Sequence, residues 1–309
     1  MGFRHILGRS VLLLLVLLAG KNLNAQCCAA GNPIGTDLDF TNGGKNSVLV
    51  GLTYRYSLSG SVYQGSKKSD VGFVDKSDFN YSEFTVNYAL TSRLSFRGDI
   101  GYFFNKTEYY NNGFTPARAN GLGDLSLLAN YQLLKQSKIG ALAIGLGVKL
   151  PVGIFDQEVD DVKLPINVQP SSGSFRGNFQ FFQQKGLGSR VMIFSLLSME
   201  MAAWIRSDNF TYRYGNMYLF ATGFSYKILP GLSAALSGRG EFRGRSWRDD
   251  HISVESSGSK IIYVTPSFNW KIKRKANFNA GVLLPVYRYM NGIQLGNTLG
   301  VYSGLTLKY

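Results

Sequence analysis

The groups in this chain best placed to act on a solute are ionisable side chains spaced two residues apart inside otherwise apolar segments. Arg97/Asp99 and Arg239/Glu241 are such pairs, and Arg243 follows at the same interval. A spacing of two puts both members on one face of an extended strand. Opposite charges held side by side can set up a field that orients a polar solute, or they can pair and close the space between them. Arg55, Glu83, Asp124, Lys149, Arg176, Glu200 and Arg213 likewise fall on the face opposite their apolar neighbours. Seven of these twelve groups are basic and five acidic, a surplus that favours anions.

Hydrolysis is the other chemistry to weigh. His251 is the one histidine beyond the first residues, and it sits in Asp249-Asp250-His251. A base of this kind needs further acids or a nucleophile brought to it in space. Asp160-Asp161 is the adjacent acidic pair in another loop, and no histidine lies on a strand. Cys27 and Cys28 are the only cysteines and are neighbours, so they cannot staple distant parts of one chain. A loop with Asp156, Glu158, Asp160 and Asp161 could meet calcium but reads better as a solvated loop. The expectation is no enzyme, no catalytic residue, no metal site and no cofactor.

The elements that carry the charges show hydrophobic alternation of period two over long stretches. Val48, Val50, Leu52, Tyr54, Tyr56 and Leu58 share one face, with Leu49, Gly51, Thr53, Arg55 and Ser57 on the other. Residues 93–105 repeat the pattern, Leu94, Phe96, Ile100, Tyr102 and Phe104 standing opposite Ser95, Arg97 and Asp99. Twelve such segments are expected, at 46–58, 79–91, 93–106, 121–134, 138–151, 174–185, 190–206, 212–228, 231–245, 259–272, 275–288 and 298–309. They reach the roughly 9–11 residues of a tilted membrane strand, whereas globular strands usually hold about five or six. Short links alternate with long polar ones, as in a barrel with periplasmic turns and extracellular loops.

Between the strand ends no charge falls on the apolar face. A Lys or Arg at mid-depth in hydrocarbon costs about 2–4 kcal/mol, so a lipid-facing wall requires that segregation. A soluble sandwich with its charges outward would satisfy the same parity. The aromatic residues separate the two. Tyr88, Tyr131, Tyr226, Trp270 and Tyr309 fall near the lower strand ends, and Tyr54, Tyr56, Tyr102 and Phe104 near the upper ones. Rings sorted by height are girdles at two membrane interfaces. The fold class is therefore an all-β transmembrane antiparallel barrel of about twelve strands, in a bacterial outer membrane.

The first residues agree. Arg4 and Arg9 precede the apolar run 11–19, and a small residue, Ala25, offers a cleavage site. Residues 1–25 read as a signal peptide, 26–45 as a periplasmic segment and 46–309 as the barrel. Loss of Arg4, Arg9 and Lys21 takes the formal charge from +14 to +11. Exported chains seldom meet nucleic acid, so none is expected. The expected partners are outer-membrane lipid, lipopolysaccharide and a small-molecule solute. Val301, Leu305, Leu307 and Tyr309 alternate up to a terminal aromatic, which resembles the signal read by the barrel-assembly machinery.

Three passages carry a family resemblance: Gly147-Val-Lys-Leu-Pro-Val-Gly153, Gln169-Pro-Ser-Ser-Gly-Ser-Phe-Arg-Gly177 and Leu284-Pro-Val-Tyr-Arg-Tyr-Met-Asn-Gly-Ile-Gln-Leu295. In that order they resemble the outer-membrane transporter barrels named for the meta-pathway of phenol degradation, a group similar to fatty-acid and hydrocarbon uptake barrels. The start Cys27-Cys-Ala-Ala-Gly-Asn-Pro33 is similar to starts of Bacteroidetes members. The resemblance implies a porin-like channel for small, hydrophobic, aromatic or anionic molecules. A closed structural or receptor-like barrel is the alternative. A membrane-embedded hydrolase of the omptin type is more remote, because the second aspartate pair differs in spacing.

Overall fold

A computed structural model describes residues 44–309 apart from 112, 136, 208, 209, 250 and 274. The leader, and the segment after it with Cys27 and Cys28, fall outside the described residues except at Gly44 and Lys45. The described residues form strands and turns with no helix. In chain order the wall runs β1 (Ser47–Gly65), β2 (Val74–Ala89), β3 (Leu94–Tyr110), β4 (Leu125–Leu134), β5 (Ala141–Leu150), β6 (Arg176–Leu187), β7 (Val191–Ala202), β8 (Met217–Leu229), β9 (Leu232–Arg243) and β10 (Ser259–Lys273). Each of these pairs antiparallel with the next.

The last extended element, Ala276–Lys308, pairs antiparallel with β10 through 276–290 and antiparallel with β1 through 290–308. Since β1 and β10 run in opposite directions, this element must reverse within itself. It does so at Asn291-Gly292, where Gly292 adopts a φ of 64° that a side chain would strain. Its arms are β11 (276–290) and β12 (293–308). Eleven elements thus make twelve passes, and Leu49↔Lys308 through Gln64↔Ile293 close the ring.

Polarity is inverted relative to a water-soluble core. Leu52, Phe84, Phe96, Leu146 and Phe220 are between 47% and 61% exposed, while Arg55, Glu200 and Glu241 are 8%, 4% and 3% exposed. An exposed apolar band around a charged interior is stable only where hydrocarbon replaces water outside. The interior is largely filled. Phe182, Phe194, Leu196, Leu219 and Ala221 pack together inside β6–β8, and Tyr63, Ile261, Tyr263 and Met290 pack inside β1, β10 and β11.

The short turns are polar and locally satisfied. Between β2 and β3 the Thr91 hydroxyl accepts from the backbone N–H groups of Arg93 (3.1 Å) and Leu94 (2.9 Å).

Two boundaries differ from the sequence reading. Residues expected in the loops 59–78, 106–120 and 289–297 extend the strands: β1 reaches Gly65, β3 reaches Tyr110, and Ala117–Leu122 pairs with upper β3 ahead of β4. Beyond the bilayer both faces of a strand meet polar surroundings, so hydrogen bonding continues where alternation stops. The second difference lies at 190–206 and 212–228. Their upper ends leave the wall, and Ile205–Ser207, Phe210–Arg213, Trp247–Arg248 and Ile252–Ser253 make a separate sheet over the mouth. Arg213 therefore belongs to that sheet rather than to the wall, its guanidinium 5.9 Å from the Trp204 ring centroid.

Candidate functional site

The interior holds a cavity of about 280 Å³. Its waist is a set of ion pairs that the alternation of six strands points inward. Arg55 on β1 faces Glu83 on β2, Nη2 to Oε1 3.5 Å. On β3 the Arg97 Nε stands 2.7 Å from Asp99 Oδ1, which also accepts from the Thr85 hydroxyl at 2.7 Å. Glu200 on β7 takes Lys149 Nζ from β5 at 2.9 Å and Arg176 Nη1 from β6 at 2.5 Å, one cation on each carboxylate oxygen. Lys149 and Arg176 are cross-strand partners on β5 and β6, and Asn178↔Glu200 sets the β7 register. A one-residue slip would put these charges into lipid.

Of the twelve groups expected to face the lumen, Arg55, Glu83, Arg97, Asp99, Asp124, Lys149, Arg176, Glu200 and Arg243 border this cavity. Arg239 and Glu241 pair with each other inside the wall, and neither borders it. Arg213 lies in the mouth sheet.

The aromatic flank was not foreseen. Phe79, Tyr81 and Phe103 line the cavity, Tyr81 and Phe103 with centroids 4.6 Å apart and Phe79 and Phe103 at 5.8 Å. Tyr81 is two residues from Glu83, and that parity would have placed it inward. The ring lies across Gly101 on β3, where an added Cβ would stand 2.0 Å from the Tyr81 hydroxyl. Below, Leu128, Leu196 and Leu219 form an apolar floor.

The roof is the loop between β5 and β6. Leu164 and Val168 pack on Ala117 and Ala119, and Gln169, 1% exposed, organises the turn. Its side-chain amide donates to the carbonyls of Gln157 and Leu164 (both 3.0 Å) and accepts from the Gln157 N–H (3.0 Å). Asp124 accepts from the Ser171 hydroxyl (2.7 Å) and the Ser172 N–H (3.0 Å), while Lys106 Nζ donates to the Gln169 carbonyl (2.9 Å). Asn167 donates to the Glu108 carboxylate. Tyr214 completes the rim with Arg176 4.7 Å from its ring centroid, and burial raises its pKa. Burial also pushes Tyr212 up to about 12, so both phenols stay neutral and add no anion to the mouth.

The residues weighed for hydrolysis stand apart from this cavity. His251 is exposed, and its backbone N–H donates to the Asp249 carbonyl at 2.9 Å. Asp160 and Asp161, with φ of 51° and 60°, form the exposed turn of the hairpin Glu158–Val159/Val162–Lys163. Asp250 lies outside the described residues.

Residues 100–289, more than half of the chain, match the model of the family described by the MetA-pathway of phenol degradation. The chain belongs to that family. No curated protein matches it. Among solved structures it is similar to an outer membrane channel from Pseudomonas putida F1, with a TM-score of 0.72 at 14% identity, covering 90% of this chain and 100% of that one. It is also similar to the beta domain of the Bordetella autotransporter Brka, with a TM-score of 0.51 at 11% identity, covering 86% and 100%. As a barrel of the MetA-pathway family with a lipid-facing band, it resides in the bacterial outer membrane.

The three passages that carry the resemblance have structural roles in this family member. Gly147–Gly153 brings Lys149 to the waist and the chain to the roof. An added Cβ at Gly153 would stand 1.8 Å from the Leu122 carbonyl oxygen, so the backbone must pass there bare. Gln169–Gly177 is the pinned part of the roof and leads into β6 at Arg176. Leu284–Leu295 contains the reversal, and its Gln294 side-chain amide donates to the carbonyls of Gly258 (2.9 Å) and Asn291 (2.5 Å), tying the turn to the neighbouring loop.

Proposed function

We propose that the protein is a channel for small molecules across the outer membrane, with the cavity as its constriction. One observation carries this reading: a chamber of about 280 Å³ lies within the lipid-facing wall, with charges at its waist and a hydrogen-bonded loop as its lid. A chamber of this size suits a single-ring solute, since a cavity of about 150 Å³ already holds benzene. The cavity cations Arg55, Arg97, Lys106, Lys149, Arg176 and Arg243 outnumber Glu83, Asp99, Asp124 and Glu200, which supports anion preference. The family's aromatic pathway and the channel fold of its structural relative agree with this reading. Insertion through the C-terminal strand by the assembly machinery, and seating against lipopolysaccharide, belong to the same proposal.

Reconstitution in planar bilayers should give discrete single-channel currents with a reversal potential displaced toward the anion in a salt gradient. Absence of both current and solute flux from liposomes would establish instead a closed structural barrel, a reading that the paired waist charges favour.

The lid makes a separate prediction. Asp124→Ala removes the acceptor for the Ser171 hydroxyl and the Ser172 N–H, so the pinned segment loosens. Mean conductance should rise, with more frequent transitions between levels. Identical traces for wild type and variant would show that the loop does not limit passage.

A further inference from the structure

Resting on the channel reading and deepening it, we infer that the cavity binds small aromatic carboxylates, the anion on Arg55 and the ring on the Phe79/Tyr81/Phe103 flank. Arg55 is 8% exposed and borders the cavity, and its Nε and Nη2, sealed from the chamber by their neighbours, have no hydrogen-bond acceptor. Its nearest carboxylate, Glu83, stands 3.5 Å from Nη2, too far for a good hydrogen bond, so a charged donor is held under-used inside the wall. A buried guanidinium so weakly compensated attracts an anion in the chamber it borders, and a carboxylate is the anion an arginine takes best.

The Arg176 Nε across the chamber is also unpaired, while its Nη1 serves Glu200. The second half of the ligand follows from the surface beside Arg55. The guanidinium lies 5.3 Å from the Tyr81 centroid, and Tyr81 and Phe103 continue as a tilted aromatic surface. An aliphatic floor closes the lower side. Such a chamber holds one ring by stacking and burial while its carboxylate reaches the arginine. A simple mineral anion would leave the apolar surface unused, and a neutral hydrocarbon would leave the guanidinium unmet.

The probe is benzoate, added to the purified full-length protein in detergent and to the same protein in bilayers. Benzamide serves as the neutral isostere. Benzoate should bind with a saturable heat signal and interrupt the ion current, and benzamide should bind at least about tenfold more weakly, the scale of one lost charge-assisted hydrogen bond. Arg55→Gln should abolish that preference. Glu83→Gln keeps the shape but removes the competing carboxylate, so benzoate should bind more tightly, a gain that misfolding cannot produce. Heat-modified migration on gels establishes that each variant is folded.

Equal affinity for benzoate and benzamide, no benzoate binding by a protein that conducts chloride, or weaker binding in Glu83→Gln would each overturn the inference. In every case the chloride current reports separately on the channel itself. Loss of that current in wild type would defeat the channel reading while leaving benzoate titration in detergent to decide the site.

Discussion

Glu200→Ala is expected to lower the stability of the folded barrel by about 3–5 kcal/mol, the scale for leaving buried charges uncompensated. Glu200 is 4% exposed, and its two oxygens neutralise Lys149 and Arg176, which come from different strands. Removing the carboxylate takes away the acceptor that these two cations on adjacent strands share. Denaturant unfolding from lipid vesicles, followed by tryptophan fluorescence, measures the loss. A loss below about 1 kcal/mol, the usual value for solvated pairs, would mean that bulk water reaches this part of the waist. The triple change Lys149→Met, Arg176→Met and Glu200→Leu should recover most of the stability, because apolar residues can replace buried ion networks at little cost. The same triple variant should bring the reversal potential closer to zero.

On the opposite face, Phe84→Arg should cost about 2–4 kcal/mol, the price of a guanidinium at mid-depth. Phe84 is 47% exposed, sits four residues above the girdle residue Tyr88, and registers with Leu52 and Ile100 on its neighbours. Phe84→Leu keeps the hydrocarbon contact and should change stability little. The measurement is again unfolding from vesicles, preferably of a bilayer thick enough that the arginine cannot reach a headgroup. Equal stability of the two variants would place this face in water and undo the membrane assignment.

The sequence was most legible where the bilayer writes on it. Alternation over Leu52, Tyr54, Tyr102 and Phe104 marks the lipid face because hydrocarbon tolerates no charge there. Fixing that face fixes the inward direction of Arg55, Glu83 and Glu200 as well. Legibility failed in four places for different reasons. Val62, Tyr63 and residues 289–290 and 293–297 belong to strands, but above the membrane both faces are polar or packed, and period two disappears. Phe79, Tyr81 and Phe103 are apolar yet point inward, so a rule that sends apolar side chains to lipid misses them. Arg213 obeyed parity on paper, but its strand departs from the wall at Met217, and parity carries no information about which sheet a segment joins. The roof depends on contacts far apart in the chain, such as Asp124 with Ser171 and Glu108 with Asn167. No local pattern announces them.

The seam between β1 and β12 has a consequence for how the molecule can come apart. Lipid tails solvate the outer face as well as a neighbouring protein would, so squeezing out solvent does little to hold adjacent passes together. Cohesion comes instead from every amide having a mate around the full circumference. Without the final arm, 293–308, both β1 and β11 would present bare edges to hydrocarbon, with nothing available to satisfy them. Integrity therefore resides in the hoop as a whole, and a chain one pass short is an unfinished ring rather than a slightly weaker barrel.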